Sequence, residues 1–420
     1  MPRKKSTLFI VTSGLLFLCL TAVTPALAAT KERVLYNFCK AQLCPDGSNP
    51  VSSLVFDAGG NLYGTAVYGG NSNCVRGCGT VFELARVNGK WAYKVLHHFE
   101  NNGKDGYYPA GNLIFDAAGN LYGTTAQGGT SQVGTVFELM PAKGGKWKEK
   151  ILHSFEGNSS DGSEPLAPVA FDATGSLYGT TFYEGAYGDG TLFRLAPGKN
   201  GDWTEKVLHN FDFNGKDGFS SRAGVVFDNS GNLYGTTVLG GTGGNGTVFE
   251  ETRGKNGSWT ENVLYSFTGG TDGSLANARL VFDSSGSLYS TTVAGGSHGA
   301  GDVFKLTRNA KGKWVLTTLY SFENVDGAFP EGGVIFDTTG NLYGITSQGG
   351  AYNSSGTVFK LIPGGGGTWT ETVLHSFGNG ADGSSPSAGL VMDASGNLYG
   401  TTNAGGTYGY GTVFEVMLAD

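Results

Sequence analysis

The sequence predicts an all-β, seven-bladed β-propeller of four-stranded blades, closed by an N-terminal strand that completes the last blade. Three observations lead there. First, a segment of the form D-x-x-G-x-L-Y recurs seven times, starting at Asp57, Asp116, Asp172, Asp228, Asp283, Asp337 and Asp393. A regular period of this length marks a repeat architecture. Second, each repeat reads as four short strands joined by Gly-rich turns, which is the composition of a propeller blade. Third, the last repeat stops after its third strand at Glu415-Val416-Met417, while matching fourth-strand sequence, Arg33 to Phe38, stands at the other end of the chain.

In chain order the first element is an export signal over residues 1–28. Arg3, Lys4 and Lys5 form its basic start, Leu8 to Val23 its apolar run, and Ala26-Leu27-Ala28 a small-residue cleavage site. No later apolar run is long enough to span a bilayer, so no membrane span is expected in the mature chain. Four cysteines then remain, Cys39, Cys44, Cys74 and Cys78, all in the first repeat. In an exported chain an even count reads as disulfides rather than as a zinc site. Three pairings stay open.

The propeller itself is expected over residues 33–416, and the fifth copy shows how one blade is built. Leu280-Val281-Phe282 forms the first strand and Ser287 to Thr292 the second, joined by Asp283-Ser284-Ser285-Gly286. The Asp side chain can accept backbone N–H bonds ahead of it, and Gly takes the left-handed conformation that closes the turn. Gly301 to Leu306 is the third strand, G-T-V-F-x-L or close to it in other copies, and Trp314 opens the fourth. Trp91, Trp147, Trp203, Trp259, Trp314 and Trp369 mark six fourth strands; the seventh is supplied from the N-terminus.

That displaced strand selects a closed ring over an open solenoid. A solenoid has no use for it, whereas a ring needs a latch that leaves no long exposed edge. In an up-and-down blade the loops after strands two and four share one face. All four cysteines therefore fall on one rim, where disulfides are expected to brace the seam of the ring.

Composition supports an exported β-protein and excludes some partners. Aromatic residues make up 12% of the chain, enough for a β-rich core, and charged residues only 15%. The net charge is −7, and it becomes more negative once the basic signal is removed. Nucleic acid and anionic lipid surfaces, which call for basic patches, are not expected partners.

The recurring G-x-L-x-x-D-x-x-G-N-L-Y-G-T-T, then G-G, then G-T-V-F-x-L, resembles the repeat of the bacterial choice-of-anchor tandem repeat GloVer-containing proteins. The resemblance covers residues 33 to 416. It implies export, with C-terminal sorting signals that differ between members, and it brings no activity, substrate or catalytic residue. This chain ends straight after the repeats, so a secreted or periplasmic product is expected rather than an anchored one.

Residues copied in every blade read as structural, since packing demands a seven-fold copy and an active site does not. The hairpin aspartates are turn formers. The Asp-Gly pairs at Asp46, Asp105, Asp161, Asp217, Asp272, Asp326 and Asp382 offer too few oxygens for calcium. His97, His153, His209 and His375 alternate with Tyr36, Tyr265 and Tyr320, which reads as packing. Gly295-Gly296-Ser297-His298-Gly299 matches a nucleophile elbow only by chance, because that motif requires a strand-to-helix turn. No catalytic residue, metal or cofactor is expected.

Departures from the repeat are more informative. Arg222, Arg279 and Glu331 open the innermost strands of three consecutive blades, beside the mouth of the central channel. Arginine pairs well with carboxylates, so these three are the candidate ligand-binding residues, for a uronic acid or a partner's carboxylate. The competing arrangement is a Glu331–Arg ion pair that plugs the channel. The expected function is a non-enzymatic propeller that binds a glycan or protein partner at one face. A carbohydrate-active enzyme, with Glu164 or Glu184 folding over to join Glu331, and a structural envelope component are the alternatives.

Overall fold

Seven antiparallel sheets of four strands stand around a common channel in the computed structural model, which describes residues 30–418. The expected export signal lies outside the described residues. In the first blade the order from channel to periphery is Val55–Phe56, Leu62–Ala66, Thr80–Val87 and Lys90–His98. The other six repeat it, the second adding Gly106–Pro109 along the end of Leu121–Gly128. Inner strands carry only a two-residue ladder, while the third and fourth strands are long, because ring geometry leaves little room near the axis and more at the rim.

The chain's own beginning closes the ring. Lys31–Asn37 pairs antiparallel with Thr412–Met417, with Val34 opposite Phe414 and Tyr36 opposite Val413. Behind this ladder Tyr36 and Phe38 pack with Leu62 and Phe82 of the first blade and Tyr399 of the seventh. Each of the six other blade junctions has its own apolar cluster. Ring closure therefore repeats one packing solution seven times rather than using a special joint.

The hairpin aspartates do what the turn chemistry requires. Asp283 Oδ1 accepts the backbone N–H groups of Ser285 and Ser287, both at 2.9 Å, and Oδ2 accepts the Tyr289 hydroxyl at 3.0 Å. Gly286 closes the turn at φ +82°, where a side chain would be strained. Burial alone would raise the Asp283 carboxyl, but these donors hold it at about 2.

Two disulfides form, Cys39–Cys44 and Cys74–Cys78, and both are local. Their loops share one face as expected, but neither bond crosses the seam. The expectation that they brace the seam covalently is corrected: each cross-link closes only its own short loop. The loops dock through backbone bonds instead, with Cys44 O accepting Gly70 N–H at 2.8 Å.

Candidate functional site at the channel mouth

The first residues of the inner strands and the ends of the second strands surround a cavity of about 950 Å³ at one end of the channel. Arg222, Arg279 and Glu331 all line it, as the sequence pattern placed them. Their arrangement differs from a plug. Among the described residues neither arginine has a carboxylate within 4 Å. Instead the Arg222 guanidinium lies 4.9 Å from the centre of the Phe182 ring. Glu331 Oε1 accepts the Ser347 hydroxyl at 3.2 Å.

Charge at the mouth is therefore lopsided. Solvent reaches Arg279 along the channel, yet the surrounding wall desolvates its guanidinium enough to lower its pKa. Burial raises Glu331, opposed by the Ser347 hydrogen bond and by the positive charge of Arg222. Asn277 and Ser387 also line the cavity, and among the described residues Asn277 Oδ1 and Ser387 Oγ have no hydrogen-bond partner. Two cations thus face one concavity beside a Ser387 hydroxyl that can donate to an anion and an Asn277 carbonyl that can accept from a ligand hydroxyl, a donor set suited to a hydroxylated anion.

The other predicted acids do not join them. Tyr183–Glu184 pairs with Gly162–Ser163 in a two-stranded ribbon on the rim, so Glu164 and Glu184 stay in loops away from the cavity wall. Glu331 is the single carboxylate that lines the cavity among the described residues. The same face carries exposed aromatic side chains in the loops after second and fourth strands: Tyr183, Tyr187, Phe213, Tyr352, Tyr408 and Tyr410. Phe182 and this aromatic set were readable as loop aromatics, but only the structure puts them on the face of the mouth.

Between blades a second set of polar residues recurs. Each fourth strand has a β-bulge before its His or Tyr, as between Val81 and Phe82 of the facing strand. Such a bulge re-aims the following side chain, and here it turns the ring toward the Asp of the next Asp-Gly pair. His153 Nε2 lies 3.0 Å from Asp161 Oδ2, His209 Nε2 2.9 Å from Asp217 Oδ2, and His375 Nε2 3.0 Å from Asp382 Oδ2. Tyr36 donates to Asp46 at 2.7 Å and Tyr265 to Asp272 at 2.9 Å. The reading of this position as packing alone is corrected: ring identity alternates because both side chains present a polar tip to one carboxylate.

This closed ring of seven four-stranded sheets, open at one face through a polar mouth, defines a tandem-repeat β-propeller. The chain belongs to the Gloeobacter/Verrucomicrobia repeat family, whose model matches residues 19–193 and 167–414. Among solved structures it is similar to an ancestral GH74 enzyme, at 12% identity and a TM-score of 0.56, over 88% of this chain and 48% of that one. It is also similar to a fungal alcohol oxidase of the AA5 family in complex with copper, at 13% identity and a TM-score of 0.55, over 92% of this chain and 76% of that one. The chain spans about half the length of the GH74 enzyme. At these identities the likeness shows the fold alone. No curated protein matches the sequence.

Proposed function

We propose that the protein is an exported, non-enzymatic propeller whose mouth binds a carboxylate-bearing glycan. The observation that carries this reading is the pair Arg222 and Arg279 facing one concavity with no carboxylate partner of their own. Both side chains are open to solvent in the mouth, so a uronate carboxylate could reach them and form charge-assisted bonds. Exposed tyrosines on the same face offer flat apolar surfaces with a polar edge, suited to sugar rings. Two disulfides agree with residence in a periplasmic or extracellular compartment, and no helix of the described residues is long and apolar enough to cross a membrane.

Hydrolysis at the same mouth is the competing reading, and the burial-raised Glu331 carboxyl is what favours it. Most glycosidases set two carboxylates across the scissile bond, and this cavity presents one. The test is a glycan array with the mature protein and with an Arg222→Ala, Arg279→Ala variant. Binding to acidic glycans is expected to fall at least ~10-fold in the variant, the worth of one charge-assisted bond or more. Equal binding by both proteins overturns the proposal. Recovery of shortened glycans after incubation with the wild type would replace it with the enzyme.

A further inference from the structure

Glu251 breaks the repeat in a place where the other blades are apolar. The third strands end their core-facing run with Leu84, Leu139, Leu195, Leu306, Leu361 and Val416, each packed in a junction between blades. At the fourth blade the residue is Glu251, 1% exposed, and among the described residues neither of its carboxylate oxygens has a hydrogen-bond partner. Burying an unpartnered carboxylate is among the costlier things a core can do. It also sits directly across the strand pair from a second acid, Glu261, where like charges repel.

The surroundings explain what these acids face. Glu251 Oε1 stands 3.4 Å from His209 Nδ1. On the other side of that ring, His209 Nε2 is 2.9 Å from Asp217 Oδ2, and His209, Asp217 and Glu261 each bring one ligand-type atom within 4.8 Å of the others. Asp217 is itself buried, and its Oδ1 has no partner. The junction between blades 1 and 2 assembles the same trio. His97 Nε2 is 3.4 Å from Asp105 Oδ2 and 3.4 Å from Glu149 Oε1, without a hydrogen-bond partner, while Asp105 Oδ1 and Glu149 Oε1 are also unpartnered.

We propose that the junction between blades 3 and 4 binds a divalent ion of the zinc class through His209, Asp217 and Glu261, and that the junction between blades 1 and 2 binds a second through His97, Asp105 and Glu149. Ligands about 2.0–2.2 Å from a tetrahedral ion stand roughly 3.3–3.6 Å from each other, close to the separations present at His97. One imidazole with two carboxylates suits zinc or manganese, whereas calcium takes six to eight oxygens. Glu251 is a positioning residue: 3.4 Å from Nδ1, it would accept from that nitrogen once an ion takes Nε2, the outer carboxylate of a carboxylate–histidine–metal arrangement. The fifth blade supplies an internal control, since Leu316 stands where Glu261 does and faces Tyr265 and Asp272.

Chelator-stripped mature protein, titrated calorimetrically with zinc chloride in a non-coordinating buffer, tests the pair of sites. Two equivalents are expected for the wild type, one each for Glu261→Gln and Glu149→Gln, and none of calcium. Glu251→Leu should weaken the site between blades 3 and 4 by about 10-fold or more, while Glu251→Gln, whose amide oxygen can also accept from Nδ1, keeps it. Cobalt chloride added to the stripped wild type gives a readout that needs no variant, a visible d–d band from nitrogen and oxygen ligands. Absence of stoichiometric zinc and of that band overturns the proposal, and so does undiminished uptake in both Gln variants.

Discussion

The junction between blades 3 and 4 and the one between blades 2 and 3 are built from the same three residue types, yet they do different things. In one, His209, Asp217 and Glu261 converge; in the other, His153 and Asp161 are hydrogen-bonded at 3.0 Å and Glu205 stays apart from a compact trio. The residue behind the histidine differs. Leu195, fully buried, pairs across the strands with Glu205, while Glu251 pairs with Glu261. One apolar-to-acid change thus distinguishes these two junctions, while the trio between blades 1 and 2 converges with Leu139 in that place, opposite Glu149. Repetition supplies the scaffold for a site, and at the junction between blades 3 and 4 a departure from it adds a second acid behind the histidine.

The sharpest way to break this contrast is to transplant the departure. Leu195→Glu places an acid in an apolar cluster with Phe155, Phe193 and Leu177, opposite Glu205. A buried, uncompensated charge of this kind costs about 3–5 kcal/mol. Urea denaturation of metal-free protein at pH 8 should show that loss. A change under about 1 kcal/mol would mean that the junction accommodates acid freely and that Glu251 carries no information.

The reverse exchange should act in the other direction and by less. Glu251→Leu restores the residue that five sister blades use, removing an unpartnered carboxylate and its repulsion with Glu261. Replacing buried charge with well-packed apolar volume commonly stabilises by about 1–4 kcal/mol. A rise in melting temperature is expected for the metal-free protein, and it should shrink when zinc is present, because the wild type alone would keep the bound ion at full affinity. A rise of equal size with and without zinc separates Glu251 from metal binding.

What could be read from the chain, and what could not, follows the same division. The ring was legible because its period is covalent information, and the closure because Arg33 to Phe38 repeats a fourth strand found nowhere else in the last unit. Turn aspartates were legible since Asp283 bonds residues two to six positions ahead. The disulfide pairing was not, because four cysteines on one rim admit three connectivities. Nor were the interblade trios, since Glu149 and Glu261 reach them from the next blade and a bulge redirects each histidine. Arg222, Arg279 and Glu331 line one cavity, which their repeat positions foretell, but whether they pair with each other is a matter of ångströms. Glu251, by contrast, is visible in the chain as the E that breaks G-T-V-F-x-L, one letter among seven near-identical strands.

The smallest expected effect lies at the ordinary junction and sets the baseline for the other. Burial, and then the negative charge of Asp161, push the Glu205 carboxyl up to about 7, with His153 opposing. Its value in the unfolded chain is 4.5, so between these two the folded state holds a proton that the unfolded state has released. Stability then falls as pH rises: the contribution is complete below pH 4.5 and lost through pH 7. Glu205 is only partly buried, and solvent screening leaves about 1 kcal/mol of this effect. Glu205→Gln should remove that share of the fall in stability between pH 5 and 8, as read from denaturation midpoints. Turn aspartates such as Asp283, held at about 2, lose their contribution only in strong acid and do not disturb the window. An unchanged pH slope would show that Glu205 is ionised in the folded ring, with its charge answered by His153, and the contrast with Glu261 would then rest on convergence of ligands alone.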